Sequence, residues 1–119
     1  MEERMQPDSA VVMYQRAIKQ SMASKDTKLI GLIYNQLGDL YLSHYLFNKS
    51  LLSYQSGLKY NQLFLDKINA SKSLRGIGKS YTYRSMPDSG LIYLSQALQL
   101  SESINDKEEV VRIHNNISN

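Results

Sequence analysis

The strongest constraint on this chain is a forty-residue repeat that runs through it without a gap. Asp26, Asp66 and Asp106 are spaced forty apart, each ahead of a helical pattern. Small residues keep the same register at Ala10, Ser50 and Gly90 and again at Ala17, Gly57 and Ala97. Large ones keep it at Tyr14, Tyr54 and Leu94, and apolar ones at Ile18, Leu58 and Leu98. In the other half of the unit Leu37-Gly38 aligns with Ile77-Gly78, Tyr41 with Tyr81, and Tyr34 with Leu74 and His114. A period of this length marks stacked supersecondary units that bury their apolar faces on one another.

Each half-unit reads as an amphipathic helix. Ala70, Leu74, Ile77 and Tyr81 follow i, i+4, i+7, i+11 and form one apolar stripe. Helices are predicted over about 7–25, 27–45, 48–65, 67–85, 88–105 and 107–119, behind an N-terminal tail at 1–6. Pro7-Asp8-Ser9, Pro87-Asp88-Ser89 and Asn48 suit helix starts with a capping side chain. The three repeated aspartates suit the same role at the other turns, where a helix N-terminus favours negative charge. Gly38 and Gly78 remove a side chain where helices cross, and Ala17, Gly57 and Ala97 do so from the partner helix. The expected fold is all-α, with about six helices in stacked antiparallel pairs.

Composition narrows the chemistry. In 119 residues, 42% hydrophobic and 21% charged, the balance is that of an ordinary folded protein. The longest apolar runs, such as Leu40-Tyr41-Leu42, are too short to cross a bilayer. Met1-Glu2-Glu3-Arg4 is charged with no apolar segment behind it, so no signal peptide is expected. The lack of cysteine excludes disulfides, thiolate metal sites and cysteine nucleophiles. No phosphate-cradling loop, nucleophile elbow or paired-acid site is recognisable. No cofactor, metal or enzymatic activity is expected.

The segment Tyr34-x-x-Leu37-Gly38-x-x-Tyr41, followed by Ser50, Tyr54 and Gly57, resembles the tetratricopeptide motif. Leu74, Ile77, Gly78, Tyr81, Gly90, Leu94 and Ala97 follow it a second time. The resemblance runs from about Pro7 onward and implies a right-handed solenoid. It departs from the usual period of about 34 residues, and the closing proline is missing, with Gln62 and Glu102 nearby. With Asp66-Lys67 and Asp106-Lys107 at its turns, the chain is similar to the extended forty-residue variety. The resemblance implies a protein- or peptide-binding scaffold, often a segment of bacterial sensor kinases and transcription regulators in signal transduction.

The repeat is out of phase with the chain. Residues 7–25 match the second helix of a unit, and 107–119 match the start of a first helix. Two explanations fit: an interrupted longer array, or end helices that pack on another copy. The second contact would be heterologous, giving rings or filaments unless a swap closes it.

The candidate site is a basic stripe. Lys72, Arg75 and Lys79 lie at i, i+3, i+7, Tyr83 continues the row, and Arg112 is the counterpart of Lys72 one unit on. The preceding unit has Leu32, Asn35, Asp39 and Ser43 there. By resemblance this face lines the concave groove in which such arrays hold peptides. Asn35, Asn115 and Asn116 could bond a peptide backbone, and an acidic segment or terminal carboxylate would suit the cations. The competing reading is a solvated helix face. The family's clamp for a C-terminal carboxylate uses a lysine and an asparagine where Asn35 and Asp39 stand, so that clamp is not expected.

Other features are read as structural. His114 is expected to be partly buried in a core register, and His44 to sit near a helix end. Tyr14, Tyr34, Tyr41, Tyr54 and Tyr81 are expected in packing, leaving Tyr45, Tyr60, Tyr83 and Tyr93 for the surface. Gly76-Ile77-Gly78 is a packing feature within a helix. Three functions follow in order of preference: a peptide-binding groove, a sensory or self-association segment of a larger regulator, and nucleic-acid binding. The last lacks a recognition motif and has little net charge, only +3, behind it.

Overall fold

The computed structural model describes residues 7–25 and 27–118, apart from the side chains of Pro7 and Asp8. The expected tail at 1–6, the cap expected of Asp8, Asp26 and Asn119 lie outside the described residues. Among the described residues six helices follow in order: α1 (Pro7–Ala23), α2 (Ile30–Ser43), α3 (Phe47–Leu63), α4 (Lys67–Tyr83), α5 (Pro87–Ser103) and α6 (Lys107–Ser118). No strand occurs among the described residues, and none of the described helices is long and apolar enough to cross a membrane.

The helices end sooner than the apolar pattern suggests, because a left-handed residue follows each of α1 to α5, and after α2 to α5 it belongs to the same turn. Lys25, Tyr45, Leu65, Ser85 and Asn105 have φ of 62°, 63°, 56°, 64° and 57°, a left-handed residue every twenty positions. After α2 the Tyr45 amide donates to the Leu42 carbonyl (3.0 Å) and the Leu46 amide to Tyr41 (2.9 Å). The same pair recurs after α3, α4 and α5, as at Asp66 N–H to the Asn61 carbonyl, 2.8 Å. This is the Schellman arrangement, usually built on glycine at the left-handed position. No glycine stands at any of the five. Leu65 is 82% exposed and so loses little packing if shortened. Relief of left-handed strain of about 1–2 kcal/mol, less the extra freedom of unfolded glycine of about 0.5–1 kcal/mol, makes Leu65→Gly stabilising. Its thermal midpoint should rise by roughly 2–4 °C; a fall would mean that the Leu65 side chain holds the turn.

Helix starts divide into two kinds. Asp66 caps α4, its Oδ1 accepting from the Asn69 amide at 3.0 Å, and Asp106 accepts from the Glu109 amide at 3.2 Å. Asn48, Asp88 and Ser89 do not cap. α3 and α5 begin at Phe47 and Pro87, behind Leu46 and Met86, which make no side-chain cap bond. The preceding turn already fixes chain entry there, and Pro87 at the first helical position has no amide to satisfy. α2 starts at Ile30 because residues 27–29 form a turn in which the Ile30 amide reaches the Thr27 carbonyl.

Each helix packs on the next, and α2 also touches α4, as α4 touches α6. No comparable contact joins α1 to α3 or α3 to α5. The first helices therefore form a close inner layer and the second helices a spread outer one, an architecture compatible with a helical-repeat solenoid. Tyr54, 2% exposed, anchors one core cluster with Leu42, Leu51 and Ile77, and Leu74, Leu94, Ala97 and Ile113 form the next. Leu58 and Tyr93 lie against both.

Much of the packing between helices is polar but satisfied. Ser50 and Ser80 hydroxyls meet at 2.8 Å, and Ser71 bonds Ser101, both pairs thirty residues apart. The counterparts of Ser71 and Ser101 one unit earlier are Gly31 and Asn61, and a Cβ on Gly31 would strike the Asn61 amide group. Volume thus moves from one partner to the other between the two units.

Candidate binding groove

Lys72, Arg75, Lys79 and Tyr83 project from one face of α4, and Leu74 and Ile77 from its buried side, as the i, i+3, i+7, i+11 spacing requires. α2 contributes Asp39 and α6 contributes Arg112. One open cavity of about 300 Å³ is bordered by Asn35, Asp39, Lys72, Arg75 and Arg112. A second, of about 560 Å³, adjoins it through Asp39 and Arg75 and runs past Lys79 to Tyr83. Asn116 lies beside Lys79 and Tyr83 in a smaller recess. Asn115 is exposed and borders none of these cavities.

The electrostatics differ from a free basic stripe. Arg75 Nε donates to Glu109 Oε2 at 2.5 Å, and Glu109 is fully buried. Arg112 Nη1 approaches the other carboxylate oxygen at 3.7 Å, outside hydrogen-bond distance, and Oε1 is without a hydrogen-bond partner. Arg112 also lies 4.0 Å from the exposed Glu108, a contact of little energetic weight. Lys79 is half-buried; burial lowers its pKa and the charge of Arg75 lowers it further, against the pull of Asp39 and Glu109. Four cations thus share the groove with Asp39 and the buried Glu109; Arg112 is the most exposed of them, and Lys72 and Lys79 are half-buried.

Asn35 is not free to bond a peptide. It is buried, its Nδ2 donates to the Asn69 carbonyl at 3.0 Å, and its Oδ1 accepts from Ser73 at 2.6 Å. Asn35 and Asn69 are the counterparts of Arg75 and Glu109 one unit earlier. The same position therefore clips each first helix to the next, by amide in one unit and by ion pair in the other.

No protein-family model and no curated protein matches the chain.

His114 is exposed rather than buried, and Ile113 takes the buried place. Its counterparts Tyr34 and Leu74 lie against α3 and α5, and no described helix follows α6 to cover position 114. His44 is the C-cap residue of α2. Of the tyrosines expected at the surface, Tyr45 and Tyr83 are exposed and meet Phe47, whereas Tyr60 and Tyr93 are half-buried, stacked on Tyr34 (5.8 Å between centroids) and Tyr81 (5.6 Å). Among the described residues no group of three His, Cys, Asp or Glu is placed to hold a metal ion.

The groove floor is braced by Tyr54, whose hydroxyl donates to Asp39 Oδ1 at 2.5 Å. Burial first, then the Asp39 charge and this bond, push the phenol far above its ordinary 10.0. The neutral ring is favoured by folding, so its contribution is fully present below about pH 10 and is lost as pH rises beyond that. Tyr54→Phe should lower stability by about 1 kcal/mol at neutral pH. The gap between wild type and variant should close above roughly pH 10, as read from urea midpoints. A gap constant through that range would mean that the hydroxyl is not held in the folded state.

Proposed function

We propose that this chain is a non-enzymatic, tetratricopeptide-like scaffold that holds an acidic protein or peptide segment along its inner layer. The observation that carries the reading is the gathering of Lys72, Arg75, Lys79 and Arg112, from two helices, onto one open groove. Lys79 strengthens it. A half-buried lysine whose charge is disfavoured by desolvation detracts from folding, and a ligand carboxylate would offset that loss.

The test is charge reversal at positions that carry no structural ion pair. Arg75 is unsuitable, because a carboxylate there would face buried Glu109. Lys72→Glu with Lys79→Glu should reduce binding of a fluorescein-labelled glutamate-rich decapeptide at least tenfold at low salt, in line with the loss of two charge contacts worth about 1 kcal/mol or more each. Unaltered anisotropy curves would remove the groove reading. A second reading, self-association within a larger regulator, is favoured by exposed Met13 on α1 and exposed Val111 and Ile117 on α6. The same double variant separates the two, since sedimentation should be unchanged if only the groove is damaged.

A further inference from the structure

We propose that the Tyr83 end of the groove is an anchor pocket for one bulky apolar side chain, so that the occupant is an acidic segment carrying an aromatic or large aliphatic residue three or four positions from its carboxylates. This rests on the groove reading above and specifies its ligand.

The pocket is built where the α2–α3 corner folds over the end of α4. Phe47, at the start of α3, lies 6.3 Å from the Tyr45 ring, edge to face, and 5.7 Å from the Tyr83 ring. Leu42 closes the inner side of the same cavity of about 560 Å³, a size suited to a small ligand or a large side chain. Tyr45 and Tyr83 keep 78% and 54% of their surface exposed, so the apolar wall is open to an occupant. Tyr45 is held there by the left-handed turn, at φ 63°. Elsewhere in the chain, the Tyr34–Tyr60 and Tyr81–Tyr93 stacks are half-buried, whereas this aromatic group opens onto the cavity.

Charge decides what accompanies the anchor. Lys79 and Arg75 border the same cavity, and Arg75 leads into the second cavity with Lys72 and Arg112. Asp39 stands between them, and together with buried Glu109 it offsets only part of the charge of Lys72, Arg75, Lys79 and Arg112, which leaves the cations in excess. From Tyr83 back to Arg75 is eight residues of helix, about 12 Å. An extended peptide spans that distance in three to four residues at about 3.3 Å each. The acidic stretch therefore lies to one side of the anchor only, over α4 and α6.

Three fluorescein-labelled decapeptides test this by anisotropy: a glutamate run with one phenylalanine four positions away, the same peptide with alanine there, and the phenylalanine peptide with glutamine for glutamate. The first should bind about tenfold or more tighter than the second, as burial of an aromatic side chain requires. It should also bind far tighter than the third. Tyr83→Ala, at an exposed residue whose loss leaves the core intact, should erase the phenylalanine advantage, bringing the phenylalanine and alanine peptides to equal affinity within that variant. If the phenylalanine and alanine peptides bind equally, the anchor is wrong and the basic groove stands. If the advantage persists undiminished in Tyr83→Ala, the side chain sits elsewhere and this pocket is not its site. If none of the peptides binds, the groove reading falls and the anchor with it.

Discussion

Gly76→Ala should destabilise the protein by about 2 kcal/mol, and Tyr54→Leu in the same molecule should remove most of that penalty. A Cβ on Gly76 would stand 2.5 Å from Tyr54 Cδ1, well inside contact distance. The ring cannot slide away. A Cβ on Gly38 would be 2.7 Å from the same ring, so both α2 and α4 press on it, and its hydroxyl is tied to Asp39. Overpacking of a trapped ring costs about 3 kcal/mol, and the better helix propensity of alanine returns about 1 kcal/mol. The thermal midpoint should therefore fall by roughly 6–10 °C.

The repeat supplies the rescue. One unit on, the positions of Tyr54, Gly38 and Gly76 hold Leu94, Gly78 and Asn116. Leu94 and Asn116 border one small cavity of about 100 Å³, so the shorter residue in the outer layer accepts a side chain from the inner one. In a Tyr54→Leu background the cost of Gly76→Ala should accordingly drop to near zero. Equal costs in both backgrounds would mean that the ring is not what holds position 76 to glycine.

The same correspondence explains what could be read from the chain alone. Size classes at positions such as 17, 57 and 97 repeat because helix–helix spacing repeats, and that spacing is fixed by backbone approach rather than by chemistry. The left-handed residue of each turn left no comparable trace. Lysine, tyrosine, leucine, serine and asparagine occupy five equivalent left-handed positions, so no residue type announces the twenty-residue half-period. The Lys72–Tyr83 row was legible because a single helix sets it. Leu42, Tyr45 and Phe47 were not, because they reach the groove only when the α2–α3 corner folds back over α4. Asn35 shows the same limit. Its spacing places it on the inner face, but only the stacking of α4 on α2 shows that Asn69 and Ser73 take up its amide.

Arg75 and Glu109 should prove unequal partners. Arg75→Ala strands a carboxylate with no exposed surface, retaining only the approach of Arg112 at 3.7 Å. Such a loss costs about 3 kcal/mol even after allowing for that remaining cation. Glu109→Ala instead leaves an arginine whose side chain is 21% exposed toward the groove and can turn its guanidinium to water. About 1–2 kcal/mol is expected there, chiefly from the vacated volume and the lost bond. The double variant should be more stable than the sum of the two single losses predicts, by at least about 1 kcal/mol, because it strands no charge. Urea midpoints for the four proteins measure all three quantities. Equal single costs with no coupling would show that the two side chains do not meet in solution, and Arg75 would then be as available to a ligand as Lys72. Strong coupling instead makes Arg75 a joint between α4 and α6 that also borders the groove, so anything drawing it toward a bound carboxylate must compete with Glu109.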